Sequence, residues 1–347
     1  MSAAVTGASG FLGLALVRAL LARGRRVRAL VRRSAAASAL RALGAEPVMG
    51  DLRTVGGWGT LVEQGDVLIH AAARVAMTGR WEQFRQTTIE GTRHLLAAAL
   101  PRRPQRVVYI SSASVYAPDA DPRGLCAERT PTRPSRYNYY ARAKLRAERL
   151  VRSQCERAGC PWTILRLGFL FGPGNRALAR QLRLLAQGRR LRIIGSGDNR
   201  IATLYIDDAV EATLLAGWHP AAAGRLYDVA SAERVTQREF IAAMSRVLGL
   251  APPPRGVRRA VAMAGAWLAE QAAGLLGAEP RVSRALVQLM STDQVIDAGP
   301  MRRELGWRPV VSFAEGVRRM EEWQHRVRGE GAAGTGLPAR PARAVSP

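Results

Sequence analysis

Lysine and acidic residues are scarce in this sequence. Its 347 residues include 52 cationic side chains, of which one is Lys and the others are Arg, against 27 Asp and Glu, for a formal net charge of +25. Such an excess suits a nucleic acid, an anionic membrane or a phosphorylated ligand. The arginines are scattered, however, and form neither a long basic tail nor the mixture with aromatics that binds single strands. We therefore expect solvated basic faces and no nucleic-acid partner.

Cysteine is equally rare. Cys126, Cys155 and Cys160 form no CxxC pair, so a disulfide framework is not expected, and a reducing cytoplasmic setting is. No metal site is expected either. An uncharged apolar run of about 18 residues is also missing, which argues against a transmembrane helix. The first strand is expected to begin almost at Met1, which leaves no room for a signal peptide.

What remains is the composition of a folded protein. With 48% hydrophobic and 23% charged residues, the chain can build a packed core, and disorder of the whole chain is excluded. Its length permits one large domain or two modest ones.

The first segment of the chain has the pattern of a strand, a glycine turn, a helix and a second strand. Residues 2–6 are an apolar run typical of a buried parallel strand, 14–22 carry leucines on one side of a helix, and 25–31 form the second strand. This is a βαβ unit of about thirty residues, which joins two parallel strands.

Three glycines separate the first strand from the helix. Gly7 allows a tight turn, Gly10 lets the backbone approach a pyrophosphate, and Gly13 lets the helix pack close to the strand. The helix N-terminus would supply free N–H groups and a partial positive charge to the diphosphate. The pattern predicts a dinucleotide-binding loop, although its spacing is GxxGxxG and not GxGxxG.

The end of the second strand indicates which dinucleotide is bound. An NAD site usually has an acidic residue there to hold the ribose 2′-OH, whereas this chain has Val31 followed by Arg32 and Arg33. A guanidinium suits a 2′-phosphate through its bidentate geometry. We therefore expect NADP(H) to be preferred, with NAD(H) as the alternative if the two arginines only belong to the general Arg excess.

A second chemical signal follows a buried strand at residues 106–110. Serines end that strand, and further along Tyr140 and Lys144 lie four residues apart on one helix face. Reduction of a ketone needs a proton donor at its oxygen, and oxidation of the alcohol needs a base there. A nearby ammonium would lower the pKa of the phenol from its usual value near 10, and a serine hydroxyl could hold the same oxygen.

The single lysine strengthens this interpretation. With seven Tyr in the chain, a lysine placed at random would follow a Tyr by four residues in roughly 2% of cases. Arg is a bulky fork with a permanent charge, whereas Lys is a compact point charge that can also reach a ribose hydroxyl. The alternative is an ordinary exposed helical lysine.

These segments together resemble the extended short-chain dehydrogenase/reductase superfamily, which includes the NAD-dependent epimerase/dehydratase family. The resemblance rests on the glycine loop 6–13, Ser112 and the Tyr140–Lys144 pair, and it extends over about residues 2–325. Further segments agree with it: Gly50-Asp51-Leu52, His70-Ala71-Ala72-Ala73, Leu165-Arg166, Gly172-Pro173, Gly195-Ser196-Gly197, Tyr205-Ile206-Asp207-Asp208 and Gly306-Trp307.

The chain also departs from the family pattern. Leu167 replaces a Pro, Ala117 a Gly, Ala143 a Ser, and Thr88 the Asn of an NxxGT pattern. None of these changes removes the Tyr, the Lys or the strand-end Ser. The loss of the Asn weakens the case for a proton-relay water on that helix.

The resemblance implies the site residues. In the family pattern the catalytic serine lies four residues before the tyrosine at 116, which selects Ser112 as the partner of Tyr140 and Lys144. Ser111 points to the opposite face of the strand and is expected to be structural, and Ser114 is the second candidate. The implied cofactor contacts are Gly7, Ser9, Gly10, Phe11, Leu12, Gly13, Arg32, Asp51, Leu52, Ala71, Ala72, Ala73, Tyr140 and Lys144.

The resemblance also implies an α/β fold. It predicts a doubly wound parallel sheet of the Rossmann type with a smaller, interleaved C-terminal substrate domain. We expect the dinucleotide-binding domain at 1–166 and 201–230, and the substrate domain at 167–200 and 231–327. The Gly-, Ala-, Pro- and Arg-rich tail, 328–347, is expected to be disordered. A homodimer is compatible with the family.

Residues 257–276 are the most informative variable stretch. They predict a mainly apolar helix, which Arg258, Arg259 and Glu270 interrupt, so it should not span a bilayer. It could cap an apolar substrate pocket, make a peripheral membrane contact, or be an Ala-rich core helix. An apolar cap favours the branches of the family that resemble 3β-hydroxysteroid dehydrogenases and dihydroflavonol reductases, or a 2-alkyl-3-oxoalkanoate reductase.

Three functions remain open from the sequence. The first is an NADP(H)-linked oxidoreductase that acts on a secondary alcohol or ketone of a small but bulky apolar substrate. The second is a nucleotide-sugar epimerase or dehydratase with tightly bound NAD, against which Arg32 argues. The third is a non-catalytic dinucleotide sensor or assembly factor, in which the Tyr140–Lys144 pair would be expected to be lost.

Overall fold

The computed structural model describes residues 2–56, 58–117, 125–126, 130–186 and 190–333. The strands are β1 (Ser2–Thr6), β2 (Arg26–Val31), β3 (Glu46–Met49), β4 (Val67–His70), β5 (Arg106–Ser112), β6 (Trp162–Leu167), β7 (Phe169–Phe171), β8 (Thr203–Tyr205) and β9 (Arg225–Val229). Seven of them form one sheet in the order β3-β2-β1-β4-β5-β6-β9, and β7 pairs with β8.

The helices alternate with these strands. They are α1 (Phe11–Ala22), α2 (Ser34–Ala42), α3 (Trp81–Phe84), α4 (Gly91–Ala99), α5 (Tyr139–Arg157), α6 (Arg176–Ala186), α7 (Ile206–Trp218), α8 (Gln237–Leu248), α9 (Arg259–Leu275), α10 (Arg284–Met290), α11 (Gly299–Leu305) and α12 (Phe313–Ala333). A π-helical segment, Arg85–Glu90, joins α3 to α4, and 3₁₀ turns lie at Leu100–Arg102, Ala113–Val115 and Pro220–Ala222.

Every pair of neighbouring strands in the large sheet is parallel. The strand order reverses between β1 and β4, which creates the switch point where open α/β sheets bind ligands at the carboxyl ends of their strands. The register sets Thr6 beside His70 and His70 beside Tyr109, so β1, β4 and β5 end at one edge. The predicted doubly wound parallel sheet is confirmed.

Helices cover both faces of the sheet. On one face, α1 and α7 pack through buried residues such as Leu16, Leu20 and Ala212. On the other face, α4 and α5 pack through residues such as Leu95 and Val151. Because both faces are covered, the central strands are mainly apolar.

The chain leaves the large sheet twice after β6. After β6 the chain leaves the sheet to form β7, α6 and β8, and it returns in α7 and β9 before leaving again. The division into dinucleotide-binding and substrate domains stays a prediction. Helix α12 runs through the expected start of the tail at residue 328 as far as Ala333, and 334–347 lie outside the described residues.

Several predicted boundaries differ by a few residues. Helix α1 begins at Phe11 and not at residue 14, and β5 continues to Ser112, so the serines belong to the strand itself. Helix α9 matches the predicted 257–276 segment, but only Ala266 and Ala273 of it are buried, which excludes a core helix. None of the described helices combines the length and apolar character needed to cross a membrane.

Asp208, near the start of α7, fastens the C-terminal part of the chain to the sheet. Its carboxylate accepts hydrogen bonds from the backbone amides of Val310 (2.9 Å) and Val311 (3.3 Å), and its carbonyl accepts one from the indole of Trp307 (3.0 Å). The role of Asp208 is therefore structural, and its carboxylate pairs with amides that are distant in the chain.

Replacing Asp208 with Ala should lower the free energy of unfolding by about 2–4 kcal/mol, because the two amides would lose a charged acceptor. Urea denaturation followed by circular dichroism measures this loss. The matched control is Asp207→Ala, since the Asp207 side chain is 61% exposed and lies 3.4 Å from Arg319; it should cost less than about 1 kcal/mol. Equal losses for the two variants would contradict this role of Asp208.

Candidate active site

The glycine turn after β1 has the geometry of a phosphate-binding loop. Gly7 has a φ of 70°, in the left-handed region, and its carbonyl accepts a hydrogen bond from the Gly10 amide at 2.8 Å. Helix α1 then begins at Phe11, with Gly10 as an N-cap that offers no side-chain oxygen. The first amides of the helix are thus left for a ligand with negative charge.

A side chain at Gly7 or Gly13 would clash with the backbone. A Cβ at Gly13 would lie 2.1 Å from the Gly7 carbonyl oxygen, so only glycine lets α1 approach the turn this closely. A Cβ at Gly7 would lie 2.8 Å from the amide nitrogen of Ala72. The turn therefore lies against the loop that contains Ala71 and Ala72, and its shape fits a dinucleotide.

The ends of β2 and β3 bring Arg32 and Asp51 near each other. Arg32 is exposed directly after β2. The Asp51 carboxylate binds Arg53, with Oδ2 to Nη2 at 2.7 Å, and this bond lowers the pKa of Asp51, to which the charge of Arg32 also contributes. Leu52 is buried, and its carbonyl accepts a hydrogen bond from His94 at 2.8 Å.

Ser112 and Tyr140 meet at the carboxyl end of β5. Tyr140 lies in the first turn of α5, which the Asn138 side chain caps by accepting the Ala141 amide at 3.0 Å. The Ser112 hydroxyl lies close enough to the Tyr140 phenol to act on the pKa of that phenol. The Oγ atoms of Ser112 and Ser114 are 2.9 Å apart, so the second candidate serine lies behind the first.

Lys144 is buried in the centre of this group. Only 2% of the residue is exposed, which rules out an ordinary surface lysine. Its Nζ donates to the carbonyl of Ile110 at 2.6 Å and lies 4.8 Å from the ring centre of Tyr109. Burial lowers the pKa of Lys144 to about 7, while the carboxylate of Glu148 acts in the opposite direction.

The predicted effect of Lys144 on Tyr140 is wrong for this structure. Burial raises the pKa of Tyr140 to about 12, and the hydroxyl of Ser112 offsets part of that rise. Desolvation has the larger effect on this pKa, because ionisation would leave a phenolate anion buried away from water. At neutral pH Tyr140 is therefore a neutral phenol, which can donate a proton.

The comparisons with known proteins agree with this geometry. The sequence model of the NAD dependent epimerase/dehydratase family matches residues 3–230, more than half of the chain. This chain belongs to that family. The predicted family, and with it the class of NAD(P)-dependent oxidoreductases, is confirmed.

Three similar proteins illustrate the match. The 2-alkyl-3-oxoalkanoate reductase of Stenotrophomonas maltophilia is 31% identical over 332 residues, which cover 92% of this chain and 98% of the relative. The 4-hydroxy-2-methyl-3-oxo-4-farnesyl-3,4-dihydroquinoline-1-oxide ketoreductase of Stigmatella aurantiaca is 31% identical over 315 residues, covering 90% and 93%. The crystal structure of gox2253 is 25% identical, with a TM-score of 0.74 and coverage of 94% and 98%.

This family member contains a buried ionic network that the sequence did not reveal. Glu148 binds Arg166 through two hydrogen bonds, Oε1 to Nε at 3.0 Å and Oε2 to Nη2 at 2.7 Å. Arg166 also donates to the Tyr116 hydroxyl at 2.8 Å, which in turn donates to Asp228 at 2.9 Å. Ser111 donates to Glu148, which gives it the structural role that was predicted.

The network links α5 to β5, β6 and β9. Glu148 lies one helical turn after Lys144, so the bond to Arg166 holds the helix face that carries Tyr140 and Lys144 against the sheet. Glu148 could have been suspected from the sequence, because it follows Lys144 by four residues and therefore shares its helix face. Nothing comparable in the sequence marked Asp228, which lies beside Arg166 because β6 pairs with β9.

His70, at the end of β4, completes the interior of the site. Its Nδ1 lies 2.7 Å from the Thr6 hydroxyl and its Nε2 lies 2.9 Å from the Thr92 hydroxyl. Because Thr92 donates to the carbonyl of Thr88, the network assigns the ring proton to Nε2. Burial, aided by the charge of Lys144, lowers the pKa of His70 to about 3, so this histidine stays neutral.

Within the described ranges, no group of three or more His, Cys, Asp or Glu is placed to hold a metal ion. The side chains gathered at the site offer a neutral phenol, a hydroxyl and an ammonium whose pKa lies close to neutrality. These groups surround the carboxyl end of β5, next to the dinucleotide-shaped turn.

Glu148→Gln should shift the titration of Lys144 to lower pH. The Glu148 carboxylate raises the pKa of Lys144, so neutralising it removes a stabilising partner of the ammonium while Gln retains hydrogen-bonding capacity. The basic limb of the pH profile of kcat/KM, which lies near pH 7 in the parent enzyme, should move to lower pH.

The control for this experiment is Glu156→Gln on the same helix. Glu156 is exposed and binds Arg152 at 2.9 Å, so its neutralisation should leave the limb in place. An upward shift, or no shift, in the Glu148 variant would show that Glu148 does not support the ammonium.

Proposed function

We propose that this protein is an NADP(H)-linked ketoreductase that acts on bulky apolar ketones, with 2-alkyl-3-oxoalkanoates as the substrate class. The observation that carries the proposal is the placement of Tyr140 beside Ser112 at the end of β5, one helical turn before the buried Lys144. When bound, the nicotinamide dinucleotide supplies the hydride that reduces the carbonyl carbon.

Each residue of the site has a distinct role in this proposal. Tyr140 donates its proton to the carbonyl oxygen as that oxygen gains electrons. Ser112 donates a hydrogen bond to the same oxygen and holds it in place. Lys144 supplies a buried positive charge one helical turn away, which stabilises the tyrosinate left after the proton transfer.

The residues of the glycine turn would hold the cofactor. Gly7, Gly10 and Gly13 leave the space, and the N-terminus of α1 provides amides and a positive dipole for the diphosphate. The loop 71–73 lies against the turn, and Asp51 with Leu52 lies beyond β3. Ser9, Phe11 and Leu12 complete the set of proposed contacts.

The preference for NADP(H) rests on Arg32. The strand-end position that would be acidic in an NAD site is Val31, which is buried, and the exposed Arg32 follows it. The nearby carboxylate of Asp51 is already bound by Arg53. A 2′-phosphate is therefore the better match to the charges at this end of the sheet.

Two observations support a 3-oxo acid as the substrate. The two ketoreductase relatives are named for substrates with a 3-oxo group and an apolar chain or ring system. In addition, Arg136 donates to the Tyr137 hydroxyl and lowers the pKa of that phenol, which gives a positive field three residues before Tyr140. Such a field would attract the carboxylate of a 3-oxo acid.

The substrate class can be tested by following NADPH oxidation with 2-alkyl-3-oxoalkanoates of increasing chain length and with UDP-glucose. Net oxidation that depends on a 3-oxo acid and improves with chain length is expected. An epimerase of this family would return the hydride, so conversion of UDP-glucose without net NADPH consumption would contradict the proposal.

Tyr140→Phe should lower kcat by about 10²–10⁴-fold, since it removes only the proton donor. The affinity for NADPH, measured by fluorescence titration, should stay within about twofold. Tyr139→Phe is the matched control, because this neighbouring ring packs against Trp81 and Phe84 and should retain turnover. If the Tyr140 variant keeps its activity, the proton comes from another group.

Arg32→Ser should reduce the preference for NADPH over NADH by about tenfold or more, the size expected for a lost charge-assisted hydrogen bond. Titration of the full chain with each cofactor measures the ratio of the two dissociation constants. Arg41→Ser removes an exposed arginine at the other end of α2 and should leave the ratio unchanged. A parent protein that binds NADH equally well would refute the role of Arg32.

A further inference from the structure

Helix α9 presents a row of large apolar side chains to solvent. Val261, Leu268 and Leu275 recur every seven residues, so they share one face of the helix, and they are 60%, 59% and 90% exposed. Leu276, 80% exposed, and Trp267, 47% exposed, extend this surface. We call these five residues the outer face of α9.

The opposite side of α9 attaches it to the rest of the chain. Its two buried residues, Ala266 and Ala273, are also seven residues apart, and α10 packs against the helix. No described segment therefore covers the outer face, while the helix itself is held in place. A row of this size on a fixed helix indicates a contact with another apolar phase.

The attachment places α9 next to Tyr137, which lies three residues before the proposed proton donor. Glu270 of α9 binds Arg284, with Oε2 to Nε at 2.6 Å, and the guanidinium of Arg284 lies 4.2 Å from the ring centre of Tyr137. The segment that follows α9 also donates a hydrogen bond from Ser283 to the carbonyl of Met77, in the loop after β4. The helix is thus fixed to segments on both sides of the site.

Positive charge accompanies the outer face. Arg255, Arg258 and Arg259 are exposed at the N-terminal end of α9. The single acidic residue between 255 and 276 is Glu270, whose charge is matched by Arg284. An apolar face flanked by arginines is complementary to a surface of anionic lipid, in which the apolar side chains enter the acyl boundary and the guanidinium groups meet the headgroups.

We propose that the outer face of α9 docks this protein on an anionic lipid bilayer, which holds the nearby Tyr137 segment close to the membrane surface. The attached helix lies in the membrane surface and does not cross it. The part of the proposal that concerns delivery rests on the proposed function, because apolar ketones partition into bilayers and would reach the site from the lipid side.

Charge also favours lipid over a second copy of the chain. Two copies that met through α9 would each carry a net charge of +25 and would bring exposed arginines to the same contact. An anionic bilayer would instead attract the positively charged protein. The same long-range attraction would concentrate the protein at the membrane before the apolar residues insert.

The test is flotation of the full chain with vesicles of phosphatidylglycerol mixed with phosphatidylcholine, and with pure phosphatidylcholine. Binding to the anionic vesicles is expected, with about tenfold weaker binding to the neutral ones. The pair Leu268→Glu and Leu275→Glu, combined in one variant, should weaken binding to anionic vesicles by at least about tenfold. Its matched control combines Val55→Glu and Val310→Glu, at residues that are 82% and 81% exposed elsewhere.

A second set of variants tests the arginines. The test variant combines Arg255→Gln, Arg258→Gln and Arg259→Gln. The control variant removes the same charge from exposed positions outside α9 and combines Arg18→Gln, Arg41→Gln and Arg102→Gln. The test variant should bind anionic vesicles about tenfold more weakly than the control. All variants should keep the parent Tm and NADPH affinity, which shows that they fold.

The outcomes separate the alternatives. Failure of the parent protein to float with anionic vesicles, or equal losses in the α9 variants and their controls, would overturn the proposal. The proposal would also be overturned if the parent protein bound no vesicles and formed a dimer that the variant with Leu268→Glu and Leu275→Glu converts to monomers. Flotation is measured without substrate, so its failure is distinct from a failure of the ketoreductase assay.

Discussion

The site depends on the buried bond between Glu148 and Arg166. It connects the middle of α5 to β6, and through Tyr116 and Asp228 it reaches β9. A charge pair removed from water is costly unless its geometry is good and its other hydrogen-bonding groups are satisfied, and here both carboxylate oxygens and the guanidinium have partners. The pair thereby fixes the rotation of α5, and this sets Tyr140 opposite Ser112.

Burial then determines the chemistry of the site. The same desolvation that raises the pKa of Tyr140 lowers the pKa of Lys144, because each shift favours the neutral form. Glu148 acts against the second shift, so the network is both the mechanical support of α5 and the electrostatic support of its ammonium. A neutral phenol beside a partly stabilised ammonium is suited to giving a proton to a ketone, in agreement with the reductive direction proposed.

Much of the fold could be predicted from local patterns. The strand at residues 2–6, the glycine turn and the helix pairing of Tyr140 with Lys144 depend on neighbours a few residues apart, and spacing reveals these. The solitary Lys144 in a chain otherwise supplied with Arg marked a position where a compact ammonium is needed, and the structure buries it. The π-helical segment at Arg85–Glu90 has no comparable sequence signal.

The sequence by itself determined the βαβ unit, the glycine spacing and which residue types could carry the chemistry, because each depends on backbone sterics or helical period. Only the tertiary structure decided the protonation of Tyr140, the partners of Glu148 and Asp208, and the exposure of α9. These properties depend on which distant segments exclude water from a side chain, and burial by segments far apart in the chain leaves no periodic trace in the sequence.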